Sequence, residues 1–183
     1  MRDETSALVA PSRELFNRLR PVAREIFTAT FGRDFETAPF EAFCDGVYGP
    51  QGSMMRDFDD PSVEWQVATS RGEPIGYAKL TPLRAPFSDA SAGALELQQL
   101  YVLQDWHGLG VADRLMEWAL SAARQRGADE VYLTVFDHNE RAKRFYARYG
   151  FAEVGRCTFT LGDLVDDDRI WRAQLRSGDP LPA

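Results

Sequence analysis

The chain has 183 residues, 44% hydrophobic and 12% aromatic, which suits one domain with a sizeable core and needs no second. Lys and Arg number 21 against 28 Asp and Glu, a net charge of −7 that repels nucleic acid and favours cationic small molecules. Cys44 and Cys157 stand far apart without metal-ligand spacing, Arg2, Asp3 and Glu4 follow Met1 where a leader would be apolar, and no run is long enough to span a bilayer; a reduced cytoplasmic protein with no metal and no membrane partner is expected.

In chain order, Pro11-Ser12-Arg13-Glu14 supplies a cap for an opening helix in which Leu15, Leu19, Val22, Ile26 and Phe27 recur at helical spacing to about Thr30. Phe31-Gly32-Arg33-Asp34 breaks it. Phe40, Phe43 and Val47 predict a short second helix before Gly49-Pro50-Gln51-Gly52, and a third piece runs from Ser53 to Phe58, ended by Asp59-Asp60-Pro61. Val63, Trp65 and Val67 alternate as a strand, Arg71-Gly72-Glu73-Pro74 makes a hairpin turn, and Ile75, Tyr77, Lys79 and Thr81 form its partner. Pro82 to Gly93 reads as a mobile loop.

From Leu95 the pattern is more specific. An apolar strand (Leu95 to Leu103) leads through the turn His107-Gly108-Leu109-Gly110-Val111-Ala112 into a helix from Ala112 to Gln125, stopped by Gly127. A strand from Val131 to Phe136, a helix from Asn139 to Tyr149 stopped by Gly150, and strands from Ala152 to Leu161 and Asp168 to Leu175 follow, the last two joined by a turn from Gly162 to Asp167. The strand, helix, strand unit requires parallel neighbours and the flanking hairpins antiparallel ones, so the fold class is α/β, a mixed and mostly antiparallel sheet with helices on both faces. A glycine turn that ends a strand and opens a helix presents unpaired N–H groups at the positive end of the helix dipole, a ready phosphate site. Any strand-to-helix connection can also look like this.

The segment Leu97-Gln98-Gln99-Leu100-Tyr101-Val102, the turn His107 to Ala112, and Asn139-Glu140-Arg141-Ala142 followed by Phe145-Tyr146 and Gly150-Phe151 together resemble the GNAT N-acetyltransferases. Glu96-Leu97-Gln98, Phe136 to Arg141 and Cys157 to Gly162 look most like the PaiA-type bacterial polyamine enzymes of that family. The resemblance implies a parallel strand pair splayed at the cofactor site, acetyl-CoA as donor, and acetyl transfer to a primary amine such as spermidine or spermine. It also leaves room for a homodimer. It places His107, Gly108, Leu109, Gly110, Val111 and Ala112 at the pyrophosphate, with His107 where the family carries Gln or Arg. Backbone N–H groups along Leu100, Tyr101 and Val102, freed by a strand bulge, would polarise the thioester carbonyl, and Asn139 would contact the pantetheine arm while also capping its helix. Tyr146 takes the place of the family's general acid; without the resemblance it reads as a half-buried aromatic beside Phe145 and Tyr149.

An alkylamine is mostly protonated at neutral pH, so transfer needs a base. Glu96, early in its strand, is the candidate, acting through water; a solvent-facing charge on a strand end is the alternative. His138 is a rival proton carrier, or an ordinary loop residue. The triplet Asp166-Asp167-Asp168 reads as a solvated turn, and Trp65, Trp106, Trp118 and Trp171 as core or sheet-face aromatics, with Trp106 able to shield the cofactor. Two further functions stay open, a protein or peptide N-acetyltransferase and a non-catalytic acyl-CoA sensor, for which His107 is the one hint. A Rossmann-type nucleotide module is disfavoured, because the glycine turn comes late and no full G-x-G-x-x-G is present.

Overall fold

The computed structural model describes residues 6–32, 36–84, 87, 89–161 and 164–175, without the side chains of Leu164 and Asp166. Arg2 to Glu4, Arg33-Asp34 of the first helix break, and Gly162-Asp163 of the last turn lie outside the described residues. Among the described residues, seven strands form one sheet in the order β1-β2-β3-β4-β5-β7-β6. They are β1 (Ser6–Val9), β2 (Glu64–Ser70), β3 (Glu73–Pro82), β4 (Leu95–Val102), β5 (Glu130–Phe136), β6 (Ala152–Leu161) and β7 (Leu164–Gln174). The helices are α1 (Arg13–Phe31), α2 (Thr37–Tyr48), α3 (Ser53–Asp59), α4 (Val111–Gln125) and α5 (Glu140–Ala147). The mixed, mostly antiparallel sheet with one parallel pair agrees with the fold expected from the sequence. The chain divides into two compact units, Met1–Lys79 with Gln99–Trp118, and Leu80–Gln98 with Ala119–Ala183; β3, β4 and α4 each run from one into the other.

In the first unit, Ser12 caps α1 by accepting the Leu15 N–H at 3.2 Å. Leu15, Phe16, Leu19, Ala23, Ile26 and Phe27 are buried along one face of that helix, as a 3.6-residue period requires. Phe16 stacks on Phe58 of α3 and meets Trp65 of β2 edge-on, which ties both elements to α1. The β2–β3 hairpin turns through Arg71 and Gly72, both with positive φ (51° and 83°), the geometry that matches the twist of the flanking strands. Lys79 of β3 and Asp57 of α3 form an ion pair and are both buried; the Lys79 ammonium also lies 5.2 Å from the Trp65 ring centre.

Strand β1 was not expected from the sequence, because four residues are too few to display a period. It is secured by antiparallel pairing, Ser6 with Ser70 through Val9 with Val67. Arg114 of α4 adds hydrogen bonds to the Ser6 carbonyl and hydroxyl at 2.9 and 3.0 Å.

In the second unit, β5 pairs with β7 from Glu130–Gln174 to Phe136–Asp168, and β7 with β6 from Ala152–Arg172 to Leu161–Leu164. The acidic triplet therefore belongs to a strand and not to a solvated turn: Asp166, Asp167 and Asp168 lie opposite Phe159, Thr158 and Cys157. Ladder hydrogen bonds with a β-favouring partner override the turn preference of the aspartates. Glu130 is buried and accepts from the Ser91 N–H, the Tyr132 hydroxyl, Arg172 and Gln174. Burial pushes its carboxyl up, but these bonds outweigh that and hold it below its usual range. The same carboxylate holds the loop before β4, whose Phe87 packs on Tyr132 with ring centres 4.7 Å apart. No described helix is long and apolar enough to cross a membrane, and no described cluster of His, Cys, Asp and Glu could hold a metal.

Candidate active site

In the first unit, β4 ends at Val102 and the chain turns through a short helical piece, Gln104–Trp106, into the glycine turn. His107 Nε2 lies 2.8 Å from the Val102 carbonyl oxygen. A carbonyl can only accept, so Nε2 carries the proton, and the ring ties the turn back to the end of the strand. Gly108 and Gly110 have φ of 77° and 76°, and a Cβ at either would meet no atom within 4 Å. Only glycine adopts this backbone without strain, and the space above both is open.

The Gly110 carbonyl accepts the Arg114 N–H at 3.1 Å, which makes Gly110 the cap of α4. Ser12 and Asn139 cap their own helices with side-chain oxygens; Gly110 has no side chain to do so. The Val111 and Ala112 amides have no acceptor within the helix and stay directed at whatever lies in front of the turn. Val111 is buried and anchors the helix start, whereas Leu109 is 49% exposed between the glycines.

Along β4, Leu100 and Tyr101 are half-buried and Val102 is buried. A Cβ on Gly76 of β3 would sit 2.8 Å from the Tyr101 carbonyl oxygen, so this stretch of β4 lies against bare backbone. Burial does not alternate along this strand: Leu95 to Leu97 are buried and the next four residues, Gln98 to Tyr101, are half-buried.

In the second unit, Glu96 is 4% exposed, and its Oε2 accepts the Arg84 N–H at 2.8 Å. This overturns the solvent-facing reading of that side chain. Glu96 pairs in register with Tyr132 of β5, one of two pairs joining the parallel strands, the other being Leu95 with Val131.

At the end of β5, Asn139 caps α5, its Oδ1 accepting the Ala142 N–H at 3.1 Å, and its amide N–H groups remain as donors. Tyr146, seven residues on, is half-buried, with its ring 5.6 Å from that of Phe145 and 5.9 Å from that of Phe151. Burial pushes its hydroxyl up to about 12; like any phenol it is neutral at physiological pH and holds a proton to give. His138 is exposed, edge-on to Phe136.

One group escaped sequence reasoning. Asp137, between β5 and α5, takes a forked pair of bonds from Arg169 of β7 at 2.7 and 2.6 Å and one from Lys143 of α5 at 2.9 Å. The Arg169 and Lys143 bonds hold its carboxyl far below the usual range. No local pattern announces this contact, because Asp137 and Arg169 are 32 residues apart.

Comparison with known proteins places the chain in a family. An uncharacterized N-acetyltransferase of Lactobacillus delbrueckii subsp. lactis is 28% identical over 154 residues, 84% of this chain and 88% of that protein. The aminoalkylphosphonate N-acetyltransferase of Salmonella typhimurium is 30% identical over 115 residues, 62% of this chain and 68% of its own. Among solved structures, the PaiA N-acetyltransferase of Thermoplasma acidophilum in complex with coenzyme A superposes with a TM-score of 0.72 at 20% identity, covering 93% of this chain and 99% of that one. The Acetyltransferase (GNAT) family profile matches residues 20–151. That span takes in the glycine turn, Glu96, Asn139 and Tyr146 alike, and the chain belongs to the GNAT acetyltransferase family.

Proposed function

We propose that this protein transfers the acetyl group of acetyl-CoA to a small primary amine, with a polyamine such as spermidine or spermine as preferred acceptor. The observation that carries the catalytic part is Tyr146, a half-buried phenol braced by Phe145 and Phe151 on the helix that Asn139 caps. Acetyl-CoA, the donor of this family, supplies an activated thioester carbonyl. The Gly108–Gly110 turn and the first amides of α4 hold the pyrophosphate. Asn139 offers its amide donors to the pantetheine arm, and backbone N–H groups of Leu100 to Val102 polarise the carbonyl.

The acceptor enters protonated and loses one proton through water to Glu96. Its nitrogen then attacks the carbonyl carbon, the carbon–sulfur bond breaks as Tyr146 protonates the departing sulfur, and the proton that the nitrogen sheds on becoming an amide returns through water to Tyr146 while Glu96 passes its own to solvent. The products are the N-acetyl amine and CoA thiol, with one proton released to solvent. His107 keeps the turn in place through Val102, so its presence where the family carries Gln or Arg does not by itself argue for a sensor.

The polyamine preference is supported by the net charge of −7 and by the likeness in fold to the PaiA enzyme. The aminoalkylphosphonate relative supports a second reading, a small amine bearing an anionic group. A panel of spermidine, spermine, aminoethylphosphonate, a neutral monoamine and an Ala-start peptide, read by thiol release, separates these. Polyamines are expected to give the highest kcat/KM, with a preference that shrinks as salt rises, because long-range attraction is screened. A win for aminoethylphosphonate or the peptide at low salt would defeat the polyamine assignment and leave acetyl transfer standing; turnover of no amine would favour the sensor.

A further inference from the structure

Helix α5 is eight residues long and contains no buried side chain. A helix that short is not stable alone in water, and the usual remedy, a fully buried apolar face, is missing. Yet it carries both Asn139 at its start and Tyr146 near its end. Asn139, Lys143 and Tyr146 are spaced i, i+4, i+7 and therefore share one stripe of the helix. At the far end, aromatic contacts with Phe145 and Phe151 steady the tyrosine ring. The near end is held differently.

There the Asp137 carboxylate is the common acceptor. Arg169, 9% exposed, reaches it from β7 with both Nε and one terminal nitrogen, the fork geometry that fixes a carboxylate in direction as well as distance. Lys143 reaches it from one turn into α5 and also bonds Glu140 at 3.1 Å. The Asp137 N–H donates to the Asp167 carbonyl at 3.2 Å, and the Asn139 N–H to Phe136 at 2.9 Å. Backbone and side chain together thus lock the link between β5 and α5 to β7, and Lys143 carries that lock onto the stripe shared with Tyr146.

We propose that Asp137 is a positioning residue for acetyl transfer: clasped by Arg169 and Lys143, it sets the direction of α5 and thereby where the Tyr146 hydroxyl delivers its proton. The proposal rests on the reading of Tyr146 as the proton donor.

A double-mutant cycle on kcat tests it. Asp137→Asn keeps an acceptor oxygen but loses the charge on which two cations converge. It is expected to lower kcat about tenfold in the wild-type background and less than twofold in a Tyr146→Phe background, because a displaced donor matters only while there is a donor. Arg169→Lys keeps the charge, loses the fork, and should follow the same pattern; it decides the matter if Asp137→Asn melts below the assay temperature. Equal factors in both backgrounds, or an unchanged kcat in the wild-type background, would overturn the proposal. A kcat indifferent to Tyr146→Phe would instead overturn the proton-donor reading, and this inference with it.

Discussion

Gly110 offers the sharpest test of where the phosphates sit, because one substitution should act oppositely on the free and the liganded protein. Its φ of 76° with open space beyond means that a side chain brings strain but no clash. Gly110→Ala should therefore cost roughly 1 kcal/mol, a fall in Tm of about 2–4 °C for a domain of this size. Gly110→Glu carries the same strain, but its carboxylate stands at the N-terminus of α4, where it regains about 0.3–1 kcal/mol from the helix dipole. The free Glu variant should melt no lower than the Ala variant.

With CoA present the order reverses. A carboxylate about 4 Å from each of two phosphate charges costs about 1 kcal/mol per charge in water and about 4 at an effective dielectric of 20. Affinity should then fall at least ~30-fold by the Coulomb cost alone. Thermal melting with CoA at 100 times the wild-type Kd reads this directly: the wild type should gain about 2.7 kcal/mol, or about 5–11 °C, and Gly110→Glu should gain at most about 0.9 kcal/mol, or about 2–4 °C. A wild-type shift in the Glu variant would place the pyrophosphate elsewhere and refute the reasoning.

Three other outcomes are expected. Tyr146→Phe should lower kcat about 10²-fold or more with little change in CoA affinity by calorimetry; since the acid must be protonated and its pKa is raised to about 12, the wild-type kcat should show no alkaline fall from this group below about pH 11. Glu96→Gln keeps an acceptor for the Arg84 N–H and should fold normally by circular dichroism, yet slow kcat/KM, most at low pH where the amine is most protonated; a pH-independent effect would remove Glu96 as the base. Lys79→Met, which takes away the cation held against buried Asp57, should lower unfolding stability by about 3–5 kcal/mol in a urea titration, and Lys79→Met with Asp57→Leu should recover much of that.

The legible parts of the chain were those whose signal is local. The apolar stripe of α1 after Ser12, the Arg71-Gly72 hairpin, the glycine turn and the Asn139 cap each lie within one turn or one period, and the structure has them where the residues indicate. Strand β1 and the first half of β7 were not legible: the former is too short to carry a pattern, and the latter is decided by pairing with β6 across the sheet. The burial of Glu96 was undecidable for a related reason, since it depends on a loop folding back so that Arg84 can donate to it. The Asp137 clasp lay furthest from view, a contact between a link residue and a strand that forms only once the sheet is assembled.

The short register between β4 and β5 has a consequence for how this sheet can vary. Register joins the two strands only at Leu95–Val131 and Glu96–Tyr132, while β5 stays laddered to β7 as far as Phe136. From Leu133 to Phe136 the registered partners of β5 lie on β7. A ligand arm bearing amides at peptide-like spacing can complete that ladder by main-chain bonds. Recognition of this kind is written in backbone atoms and is indifferent to side-chain drift, so a strand of this sort tolerates sequence change that a side-chain contact would not.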